Sequence, residues 1–174
     1  LVWLGLDWDE GPEPSDLSDR GTLGPYRQSQ RLEIYKEVVE QLIADGKAYY
    51  CFLTDEEIEK QREEAKAAGR PLQINSPYRN MSVEDARKKM NDEPDVSAVV
   101  RFRIPDDRDE YRFTDLVRGD VVFPKEMVSD FVLLRSTGMP VYNFCCVVDD
   151  YKMNMSHVFR AEEHLNNTIR QLMI

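Results

Sequence analysis

Apolar residues recur with three different rhythms along this chain, and each rhythm fits a different element. Leu32, Tyr35, Val38, Val39, Leu42 and Ile43 return at three- and four-residue steps, which predicts an amphipathic helix stopped by Gly46. From Ala98 the period falls to two. Val100, Phe102 and Ile104 alternate with Arg101 and Arg103, the pattern of a strand with one buried and one basic face. Val141 to Val148 is a continuous apolar run, expected as a strand buried on both sides of a parallel sheet and ended by Asp149-Asp150.

Between these landmarks, Thr54 and Glu57 have capping-box spacing ahead of a charged helix from about Asp55 to Ala68. A shorter helix follows Ser82, with Val83, Ala86 and Met90 on one side and residues 92–94 ending it, and Ile74 to Asn80 reads as loop. Tyr111 to Phe113, Asp120 to Phe123 and Phe131 to Arg135 are further strand candidates, and Ser136-Thr137-Gly138 is a tight turn. The opening, Leu1 to Gly11, is apolar with two tryptophans. Pro12, Pro14, Ser15, Ser18, Gly21, Gly24 and Pro25 then make an irregular loop. A strand at His157 to Phe159 and a helix from about Glu162 complete a strand, helix, strand, helix tail of an α/β fold.

With 174 residues, 41% hydrophobic and 32% charged, the composition is that of a globular domain or two small ones. The formal charge of −10 excludes bulk attraction to a polyanion, so contact with nucleic acid must be local. Fifteen of the 23 Lys and Arg lie at 51–140, where phosphate contacts are expected. No apolar run approaches the roughly 20 residues of a membrane span. Cys51, Cys145 and Cys146 are odd in number and include an adjacent pair, which fits a reducing compartment better than a disulfide framework. Position 1 is not Met, and Arg170 to Ile174 reads as the middle of a helix, so the chain is expected to be a piece of a longer protein.

Several clusters could carry chemistry. A zinc site needs about four ligands at short spacings. Leu53 stands two residues after Cys51 and no Cys or His occurs between 52 and 144, so no zinc is expected. His157 and His164 bracket the last strand and helix start, either as ordinary polar residues or, for His164, at a junction where open α/β sheets bind ligands. Arg160 stands just before a helix N-terminus, where guanidinium and helix dipole would suit an anion. A surface pair with Glu162 or Glu163 fits the same spacing. Tyr142 could face that sheet end or merely pack. Asp149-Asp150 could be paired carboxylates, although a helix cap is the commoner use.

The ordered series Trp3-Leu4-Gly5-Leu6-Asp7-Trp8-Asp9-Glu10-Gly11-Pro12, Gly24-Pro25-Tyr26-Arg27-Gln28-Ser29, Gly46-Lys47-Ala48-Tyr49-Tyr50-Cys51, Asp115-Leu116-Val117-Arg118-Gly119, Asp130-Phe131-Val132-Leu133-Leu134-Arg135-Ser136, Tyr142-Asn143-Phe144, Val147-Val148-Asp149-Asp150 and His157-Val158-Phe159-Arg160-Ala161-Glu162-Glu163-His164-Leu165 resembles the bacterial-type glutamyl-tRNA synthetases, class I aminoacyl-tRNA synthetases, over essentially the whole chain. The resemblance implies a Rossmann-type parallel-sheet core interrupted by an inserted α+β domain for the tRNA acceptor stem. Residues 1–50 would end the first half of the core, 51–140 would be the insertion, and 141–174 would start the second half. It also implies activation of glutamate by ATP, with Mg2+, and transfer to the 3′ end of tRNA(Glu) in the cytoplasm, or in a mitochondrion or plastid, with no membrane partner.

Matched position by position, Tyr142 and Arg160 look like glutamate-binding residues and Glu163, His164 and Leu165 like the segment that meets ATP. Arg118 and Arg135, with Arg79 and Arg101, are similar in placement to cations facing the acceptor stem. The family's His-x-Gly-His element and Lys-Met-Ser-Lys-Ser loop are absent from these residues. Lys152-Met153-Asn154-Met155-Ser156 is a chance likeness, because it precedes the Arg160 junction. The chain alone is therefore expected to be inactive. A paralogue of the glutamyl-Q-tRNA(Asp) synthetase type and a non-catalytic acceptor-stem-binding module are the alternative readings.

Overall fold

Helix α1, Leu32–Ala44, buries Tyr35, Val39, Leu42 and Ile43 along the face that the sequence marks. It stops in a Schellman turn: Gly46 takes φ +70°, its amide bonds the Ile43 carbonyl at 3.0 Å, and the Lys47 amide bonds Leu42 at 2.8 Å. The structure, a computed structural model, describes residues 2–14, 16 and 18–174. Leu1 and Ser15, assigned above to the apolar opening and the loop, lie outside the described residues. Ahead of α1, the two-residue strands β1 (Gly11–Pro12) and β2 (Asp19–Arg20) pair antiparallel. Glu10 ties the following loop together by accepting from the Thr22 and Leu23 amides and the Tyr26 hydroxyl. Gly21 makes that possible. It sits at φ +98°, and a Cβ there would collide with the Glu10 carboxylate.

The Gly46 turn feeds β3, Ala48–Cys51, which is one edge of a three-stranded antiparallel sheet ordered β3-β4-β7, with β4 at Val99–Phe102 and β7 at Val132–Leu134. Val100 faces Leu134 and Arg101 faces Val132, so Leu133 is the extra residue of a bulge, and it is fully buried. Ala48, Val100 and Phe102 pack with α1 and with Phe144, Cys145, Val148 and Ile169 in one core. Helices α2 (Asp55–Ala67) and α3 (Val83–Asp92) lie between β3 and β4, as the caps predict. The Thr54–Glu57 capping box forms in both directions, and Ser82 caps α3 through Asp85. Strands β5 (Glu110–Asp115) and β6 (Gly119–Pro124) form a separate hairpin whose tip residues Leu116 and Val117 are about nine-tenths exposed.

Three expectations are corrected. The apolar run from Val141 is helix α4, Tyr142–Lys152, and not a strand. Burial of Phe144, Cys145 and Val148 on one side, with half-buried residues around the rest, writes the same continuous apolar text as a doubly buried strand. Asp149 consequently lies inside the helix and is no cap. His157 to Phe159 forms no strand either; Val158 and Phe159 are exposed, and every strand pair among the described residues is antiparallel. Helix α5 follows at Leu165–Met173, as expected. The third correction concerns β4, whose basic face is covered: Arg101 is only 6% exposed. The mixed α/β class stands.

Two carboxylates, one buried and one partly buried, join these layers. Asp130, just before β7, accepts from the Tyr49 hydroxyl at 2.9 Å, Arg79 Nε at 2.8 Å and the Ile104 amide at 2.8 Å, while its carbonyl accepts from Arg101 at 3.2 Å. Asp149 accepts from Arg31 Nε at 2.7 Å, the Tyr35 hydroxyl at 2.9 Å and Gln28 at 3.3 Å. Arg31, 2% exposed, also reaches the Pro25 carbonyl at 2.7 Å.

Burial, reinforced by the neighbouring aspartate, pushes the Tyr35 and Tyr49 hydroxyls far above the ordinary tyrosine range. Above pH about 10 the unfolded chain therefore sheds protons that the folded chain keeps, and stability falls as pH rises. Urea midpoints measured between pH 8 and 11.5, each a chosen condition on the order of the tyrosine pKa, should drop steeply past 10, and the drop should shrink in Tyr35→Phe and Tyr49→Phe. Asn154, at φ +55°, closes α4 in the same Schellman geometry as Gly46. Asn154→Gly should preserve or raise the melting temperature, and Asn154→Ala should cost about 1 kcal/mol.

Candidate functional site

Tyr142 opens α4 and remains about half exposed, because Val141 precedes it in extended backbone and turns the first helical residue outward. Its ring stands 6.3 Å from that of His164, which ends the short 3-10 turn Glu162–His164 ahead of α5. The two helix starts are held side by side by amides. Gln171 donates to Asn143 at 3.0 Å, Asn143 and Asn167 meet at 3.5 Å, and Asn167 meets His164 Nδ1 at 3.3 Å. Sequence reading gave roles to Tyr142 and His164 but none to Asn143, Asn167 or Gln171, which entered it only as parts of the family likeness. Their signal was present as the four-residue step from Asn167 to Gln171, which places both on one face of α5.

Arg160 lies in exposed extended backbone between α4 and α5. Its charge acts on Cys146 and Asp150, one and two turns along α4 from Tyr142. Burial pushes the Asp150 carboxyl above the usual range, with Arg160 pulling it back and Asp149 adding to the rise. Burial likewise raises the Cys146 thiol. Tyr142, Cys146 and Asp150 thus follow one another at four-residue steps along α4, and the Arg160 guanidinium acts on the second and third. A guanidinium fork in that position matches the geometry of a carboxylate ligand. Glu163 is exposed, with a carboxylate oxygen 3.9 Å from His164 Nε2, and Leu165 begins α5 with no side chain capping the helix. The Leu165 amide bonds the Glu162 carbonyl, and the positive end of the α5 dipole lies on this side.

The four arginines grouped by the sequence occupy two different environments. Arg118, at the tip of the β5–β6 hairpin, is half exposed and pairs with Glu162. Asp115 shapes that tip by accepting from the Val117 and Arg118 amides at 2.8 Å each. Arg135 is exposed on the turn closed by its bonds with Gly138 and Met139. Arg79 is held by Asp130, by Asp106 at 2.9 Å and by the Ile104 carbonyl at 2.5 Å, and Arg101 is buried. Arg118 and Arg135 keep their charge at the surface, whereas Arg79 and Arg101 serve the interior.

Cys51 is buried with its sulfur 3.4 Å from the Ser76 hydroxyl, and Tyr78 packs its ring edge-on to Phe52 at 5.1 Å. Among the described residues no three His, Cys, Asp or Glu side chains gather as metal ligands would. Lys152 to Ser156 is the end of α4 and its C-terminal turn.

Known proteins resemble the chain along its whole length. It is 61% identical over 174 residues to a glutamate–tRNA ligase of Bdellovibrio bacteriovorus and 48% identical to glutamate–tRNA ligase 2 of Caldicellulosiruptor saccharolyticus; each match covers 100% of this chain and 34% of the relative. The chain therefore spans about a third of the length of these curated relatives. A crystal structure of a glutamate tRNA ligase from Elizabethkingia meningosepticum in complex with its amino acid superposes on 88% of the chain and 32% of that protein, with a TM-score of 0.75 and 30% identity. The model of the class I tRNA synthetases (E and Q), catalytic domain, matches residues 1–174, and the chain belongs to that family.

Proposed function

We propose that the chain is the part of a glutamate–tRNA ligase that holds glutamate and receives the acceptor end of tRNA(Glu). The observation that carries this reading is the approach of the Tyr142 and His164 rings where the starts of α4 and α5 are bridged by amides, with the Arg160 charge acting on Cys146 one turn along α4. In this reading the Arg160 guanidinium and the Tyr142 hydroxyl bind a glutamate carboxylate. Glu163, His164 and Leu165 border ATP, whose phosphates, with their Mg2+, would lie toward the positive end of α5. The substrate carboxylate attacks the α-phosphorus and releases pyrophosphate, and the terminal ribose hydroxyl then takes the glutamyl group and releases AMP. The chain's own residues bind and orient; the activating groups of the family's two signature elements are supplied outside the positions described. Division at 50 and 140 into core, insertion and core is part of the same proposal, as is a cytoplasmic setting. No helix among the described residues is long and apolar enough to cross a membrane.

Within the insertion, Arg118 and Arg135 face tRNA phosphates, and Arg79 and Arg101 hold the scaffold. Arg118→Ala and Arg135→Ala should each weaken acceptor-stem binding and flatten the slope of log K against log salt by about one contact, 0.7–0.9. Arg79→Ala should instead lower the melting temperature. Equal salt slopes in all three variants would remove the two arginines from the tRNA surface.

The reading as a whole is tested with a chimera in which residues 1–174 replace the matching third of the Bdellovibrio ligase. The chimera should charge tRNA(Glu), Arg160→Ala should reduce kcat/KM for glutamate by about 10- to 100-fold, and the chain alone should catalyse no ATP–pyrophosphate exchange. Charging unaffected by Arg160→Ala would refute the assignment. Acceptor-stem binding with no charging would support the non-catalytic module, and transfer to an anticodon base would support the paralogue.

A further inference from the structure

The apolar side chains of α4 leave its rotation about its own axis loosely specified. Phe144, Cys145 and Val148 face the core and Cys146 and Val147 lie half-buried on either flank, so apolar text runs round most of the helix and burial alone could be met at more than one angle. Polar contacts remove that freedom. Asp149 receives Arg31 at 2.7 Å, Tyr35 at 2.9 Å and Gln28 at 3.3 Å, all from the segment that begins α1. Arg31 is in turn fixed by the Pro25 carbonyl and is 2% exposed, so its guanidinium cannot follow a turning helix.

Seven residues separate Tyr142 from Asp149, which is two turns less about 20°, or about 10 Å along one face. A helix turned by one residue would swing Tyr142 by about 100°, away from His164. We propose that Arg31, Tyr35 and Asp149 are positioning residues: a polar lock that sets the rotation of α4 and so aims Tyr142 at the amino-acid site. The lock touches no substrate. Its functional meaning rests on the glutamate-site reading above, but its existence does not.

Two readouts keep the two questions apart. The first uses the chain as it stands. Cys145 is buried and Cys146 half-buried, so rotation of α4 would change which thiol iodoacetamide finds. Burial raises the Cys145 thiol to about 11, and the Tyr35 hydrogen bond draws it down. Loss of that hydroxyl would by itself slow alkylation, so faster alkylation reports exposure. Tyr35→Phe should raise the Cys145 to Cys146 alkylation ratio about five-fold, whereas Tyr49→Phe, which removes the equivalent bond at Asp130, should lower the melting temperature and leave the ratio unchanged. An unchanged ratio in Tyr35→Phe overturns the lock.

The second readout uses the chimera. Tyr35→Phe should raise KM for glutamate about ten-fold, with kcat and KM for ATP within about two-fold of the parent. Tyr49→Phe should move none of them. A changed thiol ratio with an unchanged glutamate KM overturns the positioning role. If the parent chimera does not charge tRNA, the glutamate-site reading fails, and the thiol ratio still decides whether the lock exists.

Discussion

Asp130 is buried and Asp149 is partly buried, its side chain 16% exposed, and each is held because an arginine and a tyrosine satisfy it together. An isolated buried carboxylate would be costly, and one neutralised by a lone cation would still leave lone pairs empty. Here the guanidinium supplies charge, the phenol supplies a second donor, and a main-chain amide or a glutamine supplies a third. The elements that meet at each site are thereby committed to a single arrangement. At Asp149 the start of α1 meets α4; at Asp130 the sheet meets the 3-10 turn Pro77–Asn80. Removing one donor would strand the remaining charges, which makes both sites cooperative rather than additive.

The paired helix starts inherit their geometry from this arrangement. α4 is held at its far end by Asp149, and its near end is joined to α5 by Asn143, Asn167 and Gln171. Tyr142 and His164 therefore meet without being buried. Arg160 stays exposed on the connecting segment. The arginines divide by environment: Arg31, Arg79 and Arg101 are held in or beside the core, whereas Arg118 and Arg135 stay at the surface, Arg118 in an ion pair with Glu162.

Much of this was legible from residue order. α1 announced itself through the three- and four-residue steps, α2 and α3 through Thr54, Glu57 and Ser82, and β4 through its two-residue alternation, while β5 and β6 were legible as strand candidates but not as a hairpin. α4 was misread because periodicity cannot distinguish a helix with wide burial from a strand covered on both faces. What fixes its rotation is a partner 118 positions away, which no local pattern encodes. Arg101 was misread for a related reason. Alternation identifies two faces of a strand but not whether a second layer covers the polar one, and here Tyr49, Asp130 and Arg79 do so. At the site, Tyr142, Arg160 and His164 were reachable from motif likeness, whereas the amide bridge between α4 and α5 depends on two helices being parallel neighbours.

Because β3 and β4 are hydrogen-bonded side by side from Ala48 opposite Phe102 to Cys51 opposite Val99, the chain between them leaves and returns at one place. The closure is set by the strands and not by residues 52–98, and lengthening such an excursion costs only about 0.6 kcal/mol for each doubling. The stretch carrying α2 and α3 is thus closed at its base by the strands and pinned a second time through Arg79 on Asp130, so its ends and its middle are fixed by different interactions.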